Sequence, residues 1–321
     1  MKKNKLFGLI LVAILVIIGT IFVFYQKPQE ARVVKAGYLP IITSLPVFVS
    51  QEYNYFENEG IKMDFIQLQS SNQEIEALIR GDLDVVVISS AIPAFLAENI
   101  DPGKFLIFAV SEPPISNQPF DSIIVKKESP LTSLKDLEGK KIGVFPGSTA
   151  TNLLKKFLIT KEVVIEKTNL MPITPPNQLF ALETGSIDAL HSYEPITTIA
   201  IKTMNARRIY PSVYAEQLNN NQGVALISKK FIDENPKLAL KSVTILNKAF
   251  DFTRQNETVA RSLLLKYMKL SNEISNEVVL ANMLRYDEID LKAMQQYIDR
   301  LYDLGELDKK LNFSDMIYNP R

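Results

Sequence analysis

The hydrophobic positions of this chain change period along its length. Leu6–Tyr25 is an unbroken apolar run of 20 residues without a charge. As a helix it would be about 30 Å long, the thickness of a hydrocarbon core. From Val33 onward, short β-branched runs alternate with helical spacing. Val33–Tyr38, Lys62–Leu68, Val85–Ile88, Leu106–Val110, Ile123–Val125, Lys141–Phe145 and 187–192 predict strands, with helices at 72–80 and 176–184. From Asn235-Pro236 the period turns helical, with Asn235 as N-cap and Pro236 in the first turn. Ala239, Val243, Leu246 and Phe250 share one apolar face; Leu291, Met294, Ile298 and Leu301 share another, ended by Gly305. These last helices are expected to pack on the α/β body rather than form a domain of their own.

The alternating region repeats itself once. Ala77-Leu78-x-x-Gly81-x-Leu83-Asp84-Val85 recurs as Ala181-Leu182-x-x-Gly185-x-Ile187-Asp188-Ala189, offset by 104 residues. Upstream, Gly37-x-x-Pro40 recurs as Gly143-x-x-Pro146, offset by 106. Each copy reads as helix, glycine, aspartate, buried strand, then a new helix start. The glycine suits the left-handed residue that ends a helix. Two such α/β units predict two lobes, each with a sheet whose strand C-termini face a crevice where ligands bind.

Charge and composition narrow the function. Lys+Arg and Asp+Glu are both 36, and Cys is absent. A disulfide scaffold, a thiolate metal site, a cysteine nucleophile and a lipid-modified cysteine are therefore excluded. The single histidine, His191, excludes a multi-histidine metal site. The neutral balance argues against nucleic acid as partner. Lys2, Lys3 and Lys5 precede the apolar run, and no A-x-A-like cleavage site follows it. This favours an uncleaved anchor over a removed signal, with residues 1–5 as a cytoplasmic tail, 6–25 as the membrane segment and 26–32 as a linker. Residues 31–321 lack four of the lysines and one glutamate, which leaves 32 basic against 35 acidic residues, net −3. The body is expected outside the cytoplasm, secreted if the segment is cleaved.

Hydroxyl and small residues stand at each predicted strand end, where helix N-termini leave backbone N–H groups that suit an anion. The candidates are Thr43 and Ser44, Ser71 and Asn72, Ser89 and Ser90, and Gly147, Ser148 and Thr149. Their alternative role is plain helix capping. Tyr193 can stack on a flat ligand or pack in the core. Glu194 can meet an ammonium group or stabilise a first helical turn. His191 is read as structural. No Arg stands at a predicted strand end, which leaves room for a neutral, aromatic or pyrimidine-like ligand beside organic anions and zwitterions. G-x-S-x-G, H-E-x-x-H and G-x-x-x-x-G-K-[ST] are absent. No enzymatic activity, cofactor or metal is expected.

The segment Leu131–Ser148, LTSLKDLEGKKIGVFPGS, resembles the opening of the second lobe in extracytoplasmic solute-binding proteins of the nitrate/sulfonate/taurine and thiamine-pyrimidine-precursor group. The two A-L-x-x-G-x-[LI]-D copies and Gly223–Phe231, GVALISKKF, fit the same family. The resemblance spans about residues 33–300. It implies a two-lobed type II periplasmic-binding fold with ligand trapped between lobes joined by two crossing strands. Lobe one would be 31–115 plus 232–321, with the C-terminal helices packed on it, and lobe two 116–231. It also implies delivery of the solute to an ABC permease and its ATPase. Gram-positive members are commonly lipoproteins; without a cysteine, this chain would rely on 6–25. The alternatives are a ligand-sensing ectodomain with a separate membrane partner, and an enzyme on the same fold. The resembling pyrimidine synthases carry a cysteine-rich motif that this chain lacks.

Overall fold

The computed structural model describes residues 32–112, 119–218 and 223–319. The apolar run 6–25 and, but for Arg32, the linker lie outside the described residues. Among the described residues no helix is long and apolar enough to cross a membrane.

The described residues begin with β1 (Val34–Tyr38), α1 (Leu45–Glu52), β2 (Met63–Gln67), α2 (Ser71–Arg80), β3 (Val85–Ser90), α3 (Ala91–Ile100) and β4 (Phe105–Glu112). It continues with β5 (Asp121–Val125), β6 (Lys141–Val144), α4 (Ser148–Thr160), β7 (Asn169–Pro172), α5 (Pro175–Thr184), β8 (Ala189–Tyr193), α6 (Ile196–Met204), β9 (Arg207–Tyr210) and α7 (Val213–Leu218). The last third holds β10 (Gly223–Ser228), α8 (Lys229–Glu234), α9 (Pro236–Gln255), α10 (Glu257–Tyr267), α11 (Asn272–Glu277), β11 (Asn282–Arg285) and α12 (Leu291–Asp303). The strands form two sheets, ordered β11-β4-β10-β3-β1-β2 and β7-β6-β8-β5-β9. In each, a parallel trio (β2-β1-β3 and β7-β6-β8) is extended by antiparallel strands. This is the α/β two-sheet architecture of periplasmic-binding-protein-like folds. Strand β10 falls within the 116–231 span yet pairs with β3 and β4 of the first sheet, so the chain has crossed back by Gly223.

The two halves of the repeat meet in space, and in the same way twice. Gly37 pairs with Val86 beside Leu83, and Gly143 pairs with Leu190 beside Ile187. A Cβ on Gly37 would come within 2.6 Å of Leu83 Cδ1, and one on Gly143 within 2.6 Å of Ile187 Cδ1. The repeated glycine thus makes room for the repeated branched residue. The repeated aspartate ties the neighbouring strand: Lys35 N–H donates to Asp84 Oδ2 at 3.0 Å, and Lys141 N–H to Asp188 Oδ2 at 2.8 Å. Gly81 and Gly185 end their helices at φ 83° and 74°, as the left-handed cap requires.

The C-terminal helices cover the first sheet. Ala239, Val243, Leu246 and Phe250 are all fully buried, and α9 packs along α1. Leu291 departs from the predicted face: it is 45% exposed, because it opens α12 directly after the capping Asp290. Tyr297 joins Met294, Ile298 and Leu301 inside instead. Asn235 stands at the N-cap of α9 without a side-chain capping bond. Strand β11, within the stretch read as helical, pairs antiparallel with β4. Beyond α12, Ile317 bridges to Ile107 on β4, and Tyr318 N–H donates to Ile107 O at 2.8 Å.

Candidate functional site

The ends of β1, β3, β6 and β8 converge on one cleft. Its polar part comes from the first-sheet side: Thr43, Ser71, Asn72, Ser89, Ser90 and Ser111. Its apolar part joins Leu39, Ile41 and Ile88 to Phe120, Phe145, Tyr193 and Tyr214. Tyr193 is the hub of the aromatic wall, with ring centroids 5.4 Å from Phe145, 5.5 Å from Tyr214 and 6.3 Å from Phe120. Burial pushes the hydroxyls of both tyrosines above their ordinary range, so both stay protonated donors.

The polar floor is built from strand-to-helix turns. Helices α2, α3 and α4 begin at the cleft with Ser70, Ser90 and Gly147 as N-caps. First-turn N–H groups have no partner inside their own helix, and the helix dipole adds partial positive charge there. The buried hydroxyls of Thr43, Ser89 and Ser90 complete no hydrogen bond. Ser71 holds the turn of β3, its hydroxyl accepting from Ser90 N–H at 3.0 Å. Among the described residues no charged side chain lines the cleft. An anion here would be held by neutral donors alone, and the chain offers the helix ends and hydroxyls to do so. No group of three metal-ligating side chains occurs among the described residues.

Six of the residues singled out in the sequence line this cleft: Thr43, Ser71, Asn72, Ser89, Ser90 and Tyr193. Ser44 is buried beside it, its hydroxyl turned to Leu39 O. Gly147 presses on the floor without lining it: a Cβ there would meet Asn72 Oδ1 at 2.7 Å, and its φ is 108°. Ser148 stands at the rim, accepting from Asn72 Nδ2 at 3.2 Å, which links the α4 start to the α2 start. The Thr149 side chain lies outside the described residues. Glu194 does not line the cleft. It is buried, and its carboxylate accepts from the Thr198 hydroxyl at 2.9 Å and the Thr198 N–H at 3.3 Å, a first-turn role on α6. Burial pushes the Glu194 carboxyl up.

His191 is fully buried beneath the aromatic wall and shares a 2.9 Å hydrogen bond from Nε2 to Asp121 Oδ2. Asp121 also accepts from Ser212 Oγ–H, from Val213 N–H at 2.8 Å and from Tyr214 N–H at 3.4 Å. It therefore caps α7 and sets Tyr214 in the cleft. Sequence reasoning missed Tyr214, Phe120, Ser111, Gly223 and the pair Leu39 and Phe145. The last two were accessible: they occupy equivalent positions in the Gly-x-x-Pro repeat. Tyr214 had no local signal, because its place depends on an aspartate 93 residues away.

Comparisons with known proteins agree with this architecture. The family model described as NMT1/THI5 like matches residues 42–260. A protein of Bacillus subtilis (strain 168), named for aliphatic sulfonates binding, is 26% identical over 284 residues, covering 85% of this chain and 82% of that protein. Among solved structures, the alkanesulfonate-binding protein SsuA from Xanthomonas axonopodis pv. citri, bound to MOPS, superimposes with a TM-score of 0.71 at 20% identity, covering 91% of this chain and 99% of that one. A desulfurization enzyme shares the fold with a TM-score of 0.61 at 17% identity, covering 89% and 96%. The relatives in sequence are thus named as binding proteins, while the fold also carries an enzyme. With more than half of its length matched by the family model, the chain belongs to the NMT1/THI5-like family.

Proposed function

We propose that this protein captures a small organosulfonate between its two sheets and delivers it to an ABC importer from the extracytoplasmic side of the membrane. The observation that carries the reading is the composition of the cleft: buried hydroxyls and the starts of α2 and α3 on the first-sheet side, the start of α4 and an aromatic wall on the other. A sulfonate has three acceptor oxygens and no proton at neutral pH, so it matches a floor made of donors. Its carbon part matches the wall of Phe145, Tyr193 and Tyr214. The name of the Bacillus relative and the MOPS-bound neighbour support the same ligand class. Thr43, Ser71, Asn72, Ser89 and Ser90 bind the head group, and Tyr193 the tail; Gly147, Ser148 and Thr149 contribute from the α4 start. Ser44 and Glu194 serve as structural support.

The two lobes are 31–115 plus the C-terminal helices, and the inner segment carrying β5–β9, with β10 returned to the first. Residues 6–25 tether the body to the membrane, and residues 26–32 link the two. No residue is assigned a catalytic role. Thermal unfolding of the full chain with ethanesulfonate, taurine, nitrate and a thiamine pyrimidine precursor tests the ligand class. A ligand at 100 times its dissociation constant adds about 2.7 kcal/mol of stability. Stabilisation by the sulfonates, lost in Ser89→Ala with Ser90→Ala, is the expected result. Stabilisation by the pyrimidine alone, or by none, overturns the sulfonate reading. Recovery of the wild-type chain in the membrane fraction, against a soluble 6–25 deletion, tests the tether.

A further inference from the structure

Directly behind the cleft floor lies a carboxyl group that the binding scheme above does not use. Glu74 sits in the first turn of α2, two residues past the cleft residue Asn72, and is fully buried. Neither of its oxygens completes a hydrogen bond. Helix α2 packs against β3, and the polar group facing Glu74 there is the hydroxyl of Ser89, a cleft-lining residue that is itself 1% exposed and also without a completed bond. Among the described residues no basic side chain counters a negative charge at this position. A buried carboxylate without a cation or donors is costly, whereas the protonated acid carries a donor of its own. Burial accordingly pushes the Glu74 carboxyl well above the usual range, even though the α2 N-terminus favours the ionised form.

We propose that Glu74 is a positioning residue for ligand capture: its uncharged carboxylic acid donates to the Ser89 hydroxyl, which then turns its own proton toward the head group of the ligand. Ser89 has one proton and two lone pairs. If it donated backward to a carboxylate, it would present only a lone pair to an anion, and a negative charge would stand behind it. With the acid neutral and donating, Ser89 becomes a committed donor to the cleft. The device suits a floor that has no cation among the described residues, because the available protons must then point at the ligand. This inference rests on the sulfonate reading for the identity of the head group.

The test uses the full chain, ethanesulfonate as probe, and the variants Glu74→Gln, Glu74→Leu, Ser89→Ala and the Leu/Ala double. The infrared carbonyl stretch of a protonated carboxylic acid is expected in the wild type at neutral pH, with its Glu74 component lost in Glu74→Gln and displaced when ethanesulfonate binds. Glu74→Gln keeps an uncharged donor and should bind within about threefold of wild type. Glu74→Leu, which leaves Ser89 undirected, should bind about tenfold more weakly, the size expected for one misdirected buried hydrogen bond. In the Ser89→Ala background the Leu substitution should add little, since the two residues act as one unit. A missing acid band, or Leu and Ala effects that add in full, overturns the inference while sulfonate binding stands. Failure of the wild type to bind any sulfonate overturns the parent reading and this one with it. If Glu74→Leu does not fold, the band and the Glu74→Gln affinity still decide.

Discussion

Substitution of Asp121 by alanine is expected to damage the inner sheet and the cleft together. The carboxylate is fully buried and serves four donors: His191 Nε2, Ser212 Oγ, and the N–H groups of Val213 and Tyr214. Alanine leaves all four without their acceptor in a site closed to water. Removing one partner from a buried charged network costs about 3–5 kcal/mol. That is a large share of the 5–15 kcal/mol typical of a whole domain, so the variant folds but with little margin. Asp121→Asn keeps one acceptor oxygen for the α7 N–H groups and should cost about 1–3 kcal/mol, the range for one buried group left poorly satisfied. The assay is urea unfolding followed by far-UV circular dichroism, since the chain has no tryptophan. Ethanesulfonate titration follows on the folded variants, where a displaced Tyr214 should weaken binding. Stability of Asp121→Ala within about 1 kcal/mol of wild type, the scale of a single ordinary hydrogen bond, would refute the reasoning.

Three further outcomes are expected. Gly223→Ala brings a Cβ against Ser111 Oγ, to 2.9 Å from Ile88 Cγ2 and to 3.0 Å from the backbone oxygen of Ser89, so overpacking should cost about 1–3 kcal/mol in the same unfolding assay. The repeat-related aspartates should respond unequally. Asp84 is buried and also pairs with Arg32 at 2.5 Å, so Asp84→Ala should cost about 1–3 kcal/mol; exposed Asp188 should cost less than about 1 kcal/mol on the same substitution. Stability should fall as pH rises above the ordinary glutamate value of 4.5, because Glu74 and Glu194 hold their protons more tightly folded than unfolded. The slope is at most about 1.4 kcal/mol per pH unit for each group and ends once the folded-state value is passed. Burial also raises the Glu98 and Glu112 carboxyls, so urea midpoints measured upward from about pH 5 should still decline in Glu74→Gln, but less steeply than in wild type, since that variant removes one of these titrations.

The parallel part of each sheet was legible in the sequence because it is written locally. Helix, capping glycine, aspartate and β-branched run succeed one another within about a dozen residues, and the repeat says so twice. The serines and Asn72 of the floor were legible for the same reason: a strand end and a helix start are adjacent in sequence. What could not be read depends on distant pairing. Strand β11 has only four residues and no alternation strong enough to stand out from helical surroundings, and it exists because β4 offers an edge. The place of β10 in the first sheet follows from its pairing with both β3 and β4. Tyr214 enters the cleft because Asp121 caps its helix, and Leu291 leaves the core because it opens one. Glu194 reads from position alone both as a ligand group and as a first-turn acid, and its bonds from Thr198 fit the second role.

The two sheets also differ in when they can exist. Every strand of the inner sheet lies between Asp121 and Tyr210, so its pairing is complete once that stretch of chain is available. The outer sheet opens at Val34, takes β10 into its middle, adds β11 at its edge and receives Ile317 against β4 within the last five residues. Its central strand β3 cannot be covered on both edges until residue 223 has arrived. Non-local pairing of this kind is slow, since long loops must close before contacts reward them. A chain emerging from its N-terminus therefore finishes the inserted half first and carries β1 to β4 as an incomplete, apolar sheet until its final residues close it. Half of the cleft is built early, and the polar half waits for the C-terminus.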